Sequence, residues 1–75
     1  MNDPLTKARE VKRQNEDRWL AMEGVVAVGI GQGEDERPKV VVSVEADSAR
    51  LRRDIPEDVE GVEVEIQITG PMRPM

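Results

Sequence analysis

The chain has 75 residues, of which 36% are charged, and 16 acidic against 11 basic residues give a net charge of −5. It contains no His and no Cys, which excludes Cys/His zinc sites, disulfide frameworks, thiol nucleophiles and histidine general bases. A chain this short buries only about 60–65% of its unfolded surface, so its stability as a monomer should be marginal. The composition predicts a single small domain over residues 1–75, with no cofactor and no metal.

Composition also limits the partners and the location that we expect. An acidic balance argues against a nucleic-acid-binding protein, which needs a net cationic face. No apolar run approaches the ~18 residues of a membrane span. The start, Met1 to Pro4, does not open the basic and then apolar segment of a signal peptide. We therefore expect a cytoplasmic protein that binds neither nucleic acid nor membranes.

The first predicted element is a helix over residues 4–22. Asp3 suits the N-cap and Pro4 suits the first helical position. Neither Gly nor Pro follows before Gly24, which suits a left-handed C-terminal cap. Asn15 interrupts an otherwise apolar stripe at helical spacing. The stripe consists of Leu5, Ala8, Val11, Trp19 and Met22.

A pair of strands follows, at residues 25–31 and 39–45, joined by a polar hairpin loop over residues 32–38. Alternation with a period of two places Val26, Val28 and Ile30 of the first strand on one face. The opposite face then carries Val25, Ala27, Gly29 and Gly31. In the second strand, the inward face is formed by Val40, Val42 and Val44, with Val41 on the other side.

The remaining elements are a short helix over residues 48–53, a strand over residues 61–69 and a loose tail over residues 71–75. Leu51 is the inward anchor of the short helix, and Pro56 holds Ile55 extended. The last strand shows the cleanest alternation of the sequence. Its apolar face consists of Val62, Val64, Ile66 and Ile68.

These elements predict an α+β fold, a two-layer sandwich of order α-β-β-α-β. Because every strand has one apolar face, a three-stranded sheet should carry both helices on that face and leave the other face open. If the third strand lies beside the first, the whole sheet is antiparallel; if it lies beside the second, the sheet is mixed. We favour the first arrangement.

The open face and the strand edges are the first candidate for a functional surface, because open edges can pair with another chain. A second copy of the chain would also supply the burial that the monomer lacks. Trp19, the only aromatic residue, should fill the core, with a position at a subunit interface as the alternative. The candidate interface residues are Val25, Ala27, Gly29, Val41 and Trp19.

The second candidate is a small-ligand or anion site at the end of the hairpin, built from glycine amides and two bases. Its residues would be Gly29, Gly31, Gly33, Arg37 and Lys39. The glycines lack the G-x-G-x-x-G spacing and the long following helix of a dinucleotide site, and the loop is acidic at residues 34–36. A flat strand followed by a turn is the simpler interpretation of these glycines.

Residues 22–31, the Ile55-Pro56-Glu57-Asp58 turn with the valines after it, and Thr69-Gly70-Pro71 resemble a small bacterial module. That module occurs in uncharacterised stand-alone proteins and in segments that precede some trypsin-like serine peptidases. Pro often occupies the positions of Glu23 and Glu63 in it. The resemblance implies an accessory or docking role and carries no catalytic residue, since a peptidase triad needs a His.

The function expected from the sequence is therefore a non-enzymatic protein-interaction or regulatory module that could self-associate as a homodimer. Six acids and no base lie within residues 54–65, but a glycosidase needs a deep cleft that desolvates one carboxylate, and a chain of this size can hardly enclose one. We expect no enzyme.

Overall fold

The computed structural model describes residues 3–33 and 35–69. The predicted tail over residues 71–75 lies outside the described residues. The elements in chain order are α1 (Pro4–Leu20), β1 (Val25–Gln32), β2 (Pro38–Val44), α2 (Ala49–Asp54), β3 (Asp58–Val59) and β4 (Val62–Ile68). Within the described ranges, two helices and a mixed sheet of four strands confirm the α+β class, while the predicted three strands were one too few.

Capping side chains determine where the two helices begin. Asp3 Oδ1 accepts a hydrogen bond from the Leu5 N–H at 3.3 Å, with Pro4 as the first residue of α1. Ser48 Oγ accepts from the Leu51 N–H at 3.4 Å at the start of α2. The first helix ends at Leu20, two residues before the predicted end, and Gly24 has the left-handed φ of +95° that favours glycine.

The buried side of α1 carries Ala8, Val11, Asn15 and Trp19. Asn15 stays on this side because its polar groups are satisfied within the helix. Its Nδ2 donates to the Val11 carbonyl at 2.8 Å, and its Oδ1 accepts from Arg18. Trp19 is fully buried, and its Nε1 has no hydrogen-bond partner among the described residues. The prediction that Trp19 fills the core is confirmed.

The strand order is β1-β2-β4-β3, with β1 antiparallel and β4 parallel to β2. The arrangement that we favoured, with the last long strand beside β1, is therefore wrong, and the mixed alternative is right. The reason lies in the inward residues of β2. The central position buries Val40, Val42 and Val44 completely, and each of them is 0% exposed. The glycine-containing β1 has less apolar side chain to gain from that position.

The strand that the sequence did not reveal is β3, a two-residue partner of β4. Asp58 pairs with Glu63 and Val59 pairs with Val62. Glu60 (φ +50°) and Gly61 (φ +84°) form the two-residue turn between them. Two positive φ values are typical of a type I′ hairpin turn, for which Asn-Gly is the usual signal and Glu-Gly a weak one.

A bulge near the start of β1 changes which residues face the core. Val25 pairs with Val44 and Ala27 pairs with Ser43, so Val26 is an extra residue between them. Val25 packs against the core together with Val28 and Ile30, while Val26 is 48% exposed. The prediction that Val25 lies on the open face is therefore wrong, because strict alternation does not hold across a bulge.

One core cluster joins both helices and the sheet. Leu51 of α2 and Ile55, which follows it, belong to the same cluster as the buried residues of α1. The buried members are Ala8, Val11, Trp19, Val40, Val42, Val44, Leu51, Ile55, Val62 and Val64. This core fixes the sheet, whose other face and outer edges carry the candidate site.

Candidate interaction surface

The face of the sheet away from the core is small and apolar on one side and acidic on the other. The strand registers align Gly29 with Val41 and Val41 with Glu65, so residues of β1, β2 and β4 form rows across this open face. Its residues are Ala27, Gly29, Gly31, Lys39, Val41, Ser43, Glu63, Glu65 and Gln67. The β1 side of the open face is uncharged, and the β4 side carries carboxylates.

Lys39 of β2 lies against the acidic side of the open face. Its Nζ is 2.7 Å from Glu65 Oε1 and 3.9 Å from Glu63 Oε2. The Lys39 side chain is only 14% exposed, whereas both glutamates are much more exposed. This cation therefore neutralises carboxylates within the sheet.

Two glycines of β1 differ in the space above them. A Cβ at Gly31 would lie 2.8 Å from Val41 Cγ2, so a larger residue there would force the Val41 side chain to shift. At Gly29 no atom lies within 4 Å of the position of a Cβ. The open face is thus closed over Gly31 and accessible at Gly29.

Among the predicted interface residues, the structure brings Ala27, Gly29 and Val41 together on the open face. Ala27 is exposed, while Gly29 and Val41 are half-buried direct neighbours across β1 and β2. Val25 and Trp19 do not join them, because both side chains pack into the core. These two residues are therefore not accessible to a partner on the open face.

The outer edge of β1 is the feature that the favoured strand order concealed, since that order placed β1 in the centre. The Gly33 N–H donates to the Arg37 carbonyl at 3.0 Å, whereas Pro38, opposite Gln32, has no N–H to donate. Bonded and non-bonded pairs alternate in an antiparallel ladder. Val28, Ile30 and Gln32 therefore direct their backbone N–H and C=O groups away from β2.

No strand of the described part of the chain pairs with this outer edge of β1. Among the described residues, its outward backbone groups therefore have no partner strand along the eight residues VVAVGIGQ, which carry no charged side chain. The bulge at Val26 is its one irregularity. The absence of charge was visible in the sequence, but the position at the edge depended on the strand order.

The opposite edge of the sheet, at β4, is covered at its start. At that edge β3 pairs with the start of β4, and the Val64 N–H donates to the Glu57 carbonyl at 2.8 Å. A groove of about 570 Å³ between α2, β3 and β4 has mainly acidic polar walls. Its carboxylates are those of Glu57, Asp58, Glu63 and Glu65, and Arg52 is its one base.

At the hairpin end, three residues of the predicted ligand site already have partners elsewhere in the fold. The Gly33 carbonyl accepts from the Glu36 N–H at 3.0 Å. Arg37 Nε lies 3.4 Å from Asp35 Oδ2, and Lys39 pairs with the glutamates of β4. Gly29, Gly31 and Lys39 share the open face, while Gly33 and Arg37 lie in the turn. The ligand site stays a prediction, which amide shifts confined to residues 29–39 on adding a ligand would support.

Within the described ranges, no three or more acidic side chains are grouped so that they could hold a metal ion. No helix in the same part of the chain has the length and apolar character needed to cross a membrane. No protein-family model matches the chain, and neither a curated protein nor a solved structure matches it.

Proposed function

We propose that this chain is a non-enzymatic protein-interaction or regulatory module that binds through the outer edge of β1. The observation that carries the proposal is the uncharged eight-residue strand at the end of the sheet, with outward backbone groups at Val28, Ile30 and Gln32. A partner strand added at this edge would satisfy those groups with main-chain hydrogen bonds, as in β-strand addition.

The contrast between the two edges supports this proposal. Sheet proteins usually protect an edge with short strands, charges or proline, since an unprotected edge pairs with other chains. This chain has such protection at the β4 side, where β3 and several carboxylates lie. On the β1 side only the bulge at Val26 is present. The sheet therefore has one unprotected edge, at β1, and strand addition requires such an edge.

The proposed absence of catalysis has its support in the chemistry of the side chains. The chain offers neither His nor Cys, and none of the carboxylates among the described residues is buried, so water keeps them solvated. The resemblance to modules that precede trypsin-like peptidases, if it reflects kinship, fits the same proposal. It would make the chain an accessory or docking unit.

A matched pair of photo-crosslinking variants tests the proposed function in cells. A photoreactive residue replaces either Gln32, at the β1 edge, or Gln67, on the open face of β4; both glutamines are exposed. We expect protein adducts from position 32 and few from position 67. The proposal fails if position 32 yields no adducts with any protein, including the chain itself, or if position 67 yields as many.

A further inference from the structure

Building on the proposed function, we infer that the partner of the β1 edge is a second copy of this chain, with the two β1 strands antiparallel about a twofold axis. The outward backbone groups recur at every second residue, so two copies can exchange them in register. Because β1 carries no charge, no like charges face each other in such a pair. The two sheets would join into one continuous sheet.

The side of α1 that faces this edge can be identified from one ion pair. Lys7 Nζ lies 3.3 Å from Glu60 Oε1, in the turn between β3 and β4, so the Lys7 side of the helix faces those strands. Successive residues of a helix are rotated by about 100° around its axis. The flank opposite Lys7 therefore lies over the β1 edge. The residues of this α1 flank are Leu5, Arg9, Lys12, Glu16 and Leu20.

The α1 flank is complementary to its own reverse. In an antiparallel pair centred near residue 12, Leu5 of one copy meets Leu20 of the other, and Arg9 meets Glu16. Lys12 of both copies lies near the axis, and the repulsion between the two ammonium groups is offset by Glu16 of each chain, with Nζ and Oε2 2.7 Å apart. Leu20 is 44% exposed in the single chain, and this arrangement would cover it.

The lengths of α1 and β1 allow one twofold axis to relate both the two strands and the two helices of the dimer. The 17 residues of α1 span about 25 Å and the eight residues of β1 about 26 Å. A short connection joins them, and so the middle of α1 lies over the middle of β1, close to Gly29. Because α1 packs on both β1 and β2, pairing separates the two helices by about two strand spacings. That is ~10 Å, a normal helix packing distance.

The register that follows places Gly29 opposite Gly29 of the second copy and bonds Val28 to Ile30 of the second copy. A pair of the Gly29 type is not hydrogen-bonded, and its Cα atoms are about 4.5 Å apart, which is within the range for a disulfide. Since the chain has no cysteine and Gly29 has open space for a side chain, this position can be probed directly.

The experiment combines light scattering during size-exclusion chromatography with two single-cysteine variants. We expect the chain to reach twice its mass as concentration rises, and Gly29→Cys to form a disulfide dimer at least about tenfold faster than Gln67→Cys. Gly29→Lys should weaken the dimer at least about tenfold, because two ammonium groups would face each other, while Gly29→Thr should leave it intact. Circular dichroism verifies that each variant folds.

Three results would overturn the inference. They are a chain that stays monomeric at high micromolar concentration, a dimer in which Gly29→Cys crosslinks no faster than Gln67→Cys, and a dimer that Gly29→Lys leaves unchanged. Adducts at position 32 with a different protein, found alongside a monomeric chain, would refute the second copy as partner and leave the proposed function standing. If position 32 yields no adducts and the chain forms no dimer, both the second copy as partner and the proposed function are refuted.

Discussion

The two edges of the sheet are built in opposite ways. At the β4 side, a two-residue strand and a tight turn cover the start of the edge, and a groove rich in carboxylates lies beside it. At the β1 side, eight uncharged residues present outer backbone groups that no strand of the described ranges pairs with. The valine-rich β2 lies between them and is completely buried on its inner face. The difference shows that the same small core can support one closed edge and one open edge.

The largest expected effect comes from filling the two glycines of β1 with the same side chain. Gly31→Val should lower the free energy of unfolding by about 1–3 kcal/mol, because its Cβ would overlap Val41. Gly29→Val should raise it by about 0.5–1 kcal/mol, since valine favours strands and nothing obstructs it. Urea denaturation measures both values. Equal losses at the two positions would contradict the open space assigned to Gly29.

The second prediction concerns the β3–β4 turn, which covers the start of the β4 edge. Gly61 has φ +84°, so Gly61→Ala should destabilise the β3–β4 turn by about 1–2 kcal/mol and uncover the edge. Thermal unfolding gives the stability, and hydrogen exchange at Val64 reports the loss of its bond to Glu57. Gly29→Ala, where φ is not positive, is the matched control and should lose no stability.

A smaller effect should follow from removing the cation of the open face. Lys39→Met leaves Glu63 and Glu65 facing each other on β4 without their ion pair. We expect a loss of about 0.5–1 kcal/mol, held low because water screens the exposed glutamates. The loss should shrink in about 1 M salt, whereas Lys39→Arg should keep most of the stability at any salt concentration. A salt-independent loss would mean that packing dominates.

The smallest effect concerns the α1 flank and sharpens the account of the β1 edge. Glu16→Lys should weaken dimerisation about two- to fivefold, because it sets like charges against Arg9 of the second copy and removes the partner of Lys12 near the axis. The double variant Arg9→Glu/Glu16→Lys restores opposite charges and should recover most of the affinity. Sedimentation equilibrium measures both. Failure of the double variant to recover would argue against the antiparallel contact of the helices.

Much of the fold could be predicted from local patterns. The cap at Asp3, the apolar stripe from Leu5 to Met22 and the alternation from Val62 concern neighbours in sequence, and they indicated the helices, the long strands and the α+β class. The strand order was not predicted, because it depends on which strand gains most from the centre of the sheet. That comparison involves all the strands together, and β2 gains most through Val40, Val42 and Val44.

The candidate site was predicted only in part, because it depends on the bulge in β1 and on the strand order. Ala27, Gly29 and Val41 share a face, as their alternation indicated. Val25 was misplaced because the bulge at Val26 shifts the register by one residue, and sequence alternation gives no sign of a bulge. The open edge of β1 could not be recognised before β1 was known to be the terminal strand.

The parallel pairing at the centre of the sheet also bears on how the chain folds. Val40 pairs with Val64, and the chain between these two residues includes α2 and the β3–β4 turn. The β1–β2 hairpin involves much closer residues, so it can close first, and the central ladder must wait for the longer loop. During synthesis, one edge of β2 therefore stays unpaired until β4 has been made. The strand that is most deeply buried in the folded protein is thus exposed for a time during folding.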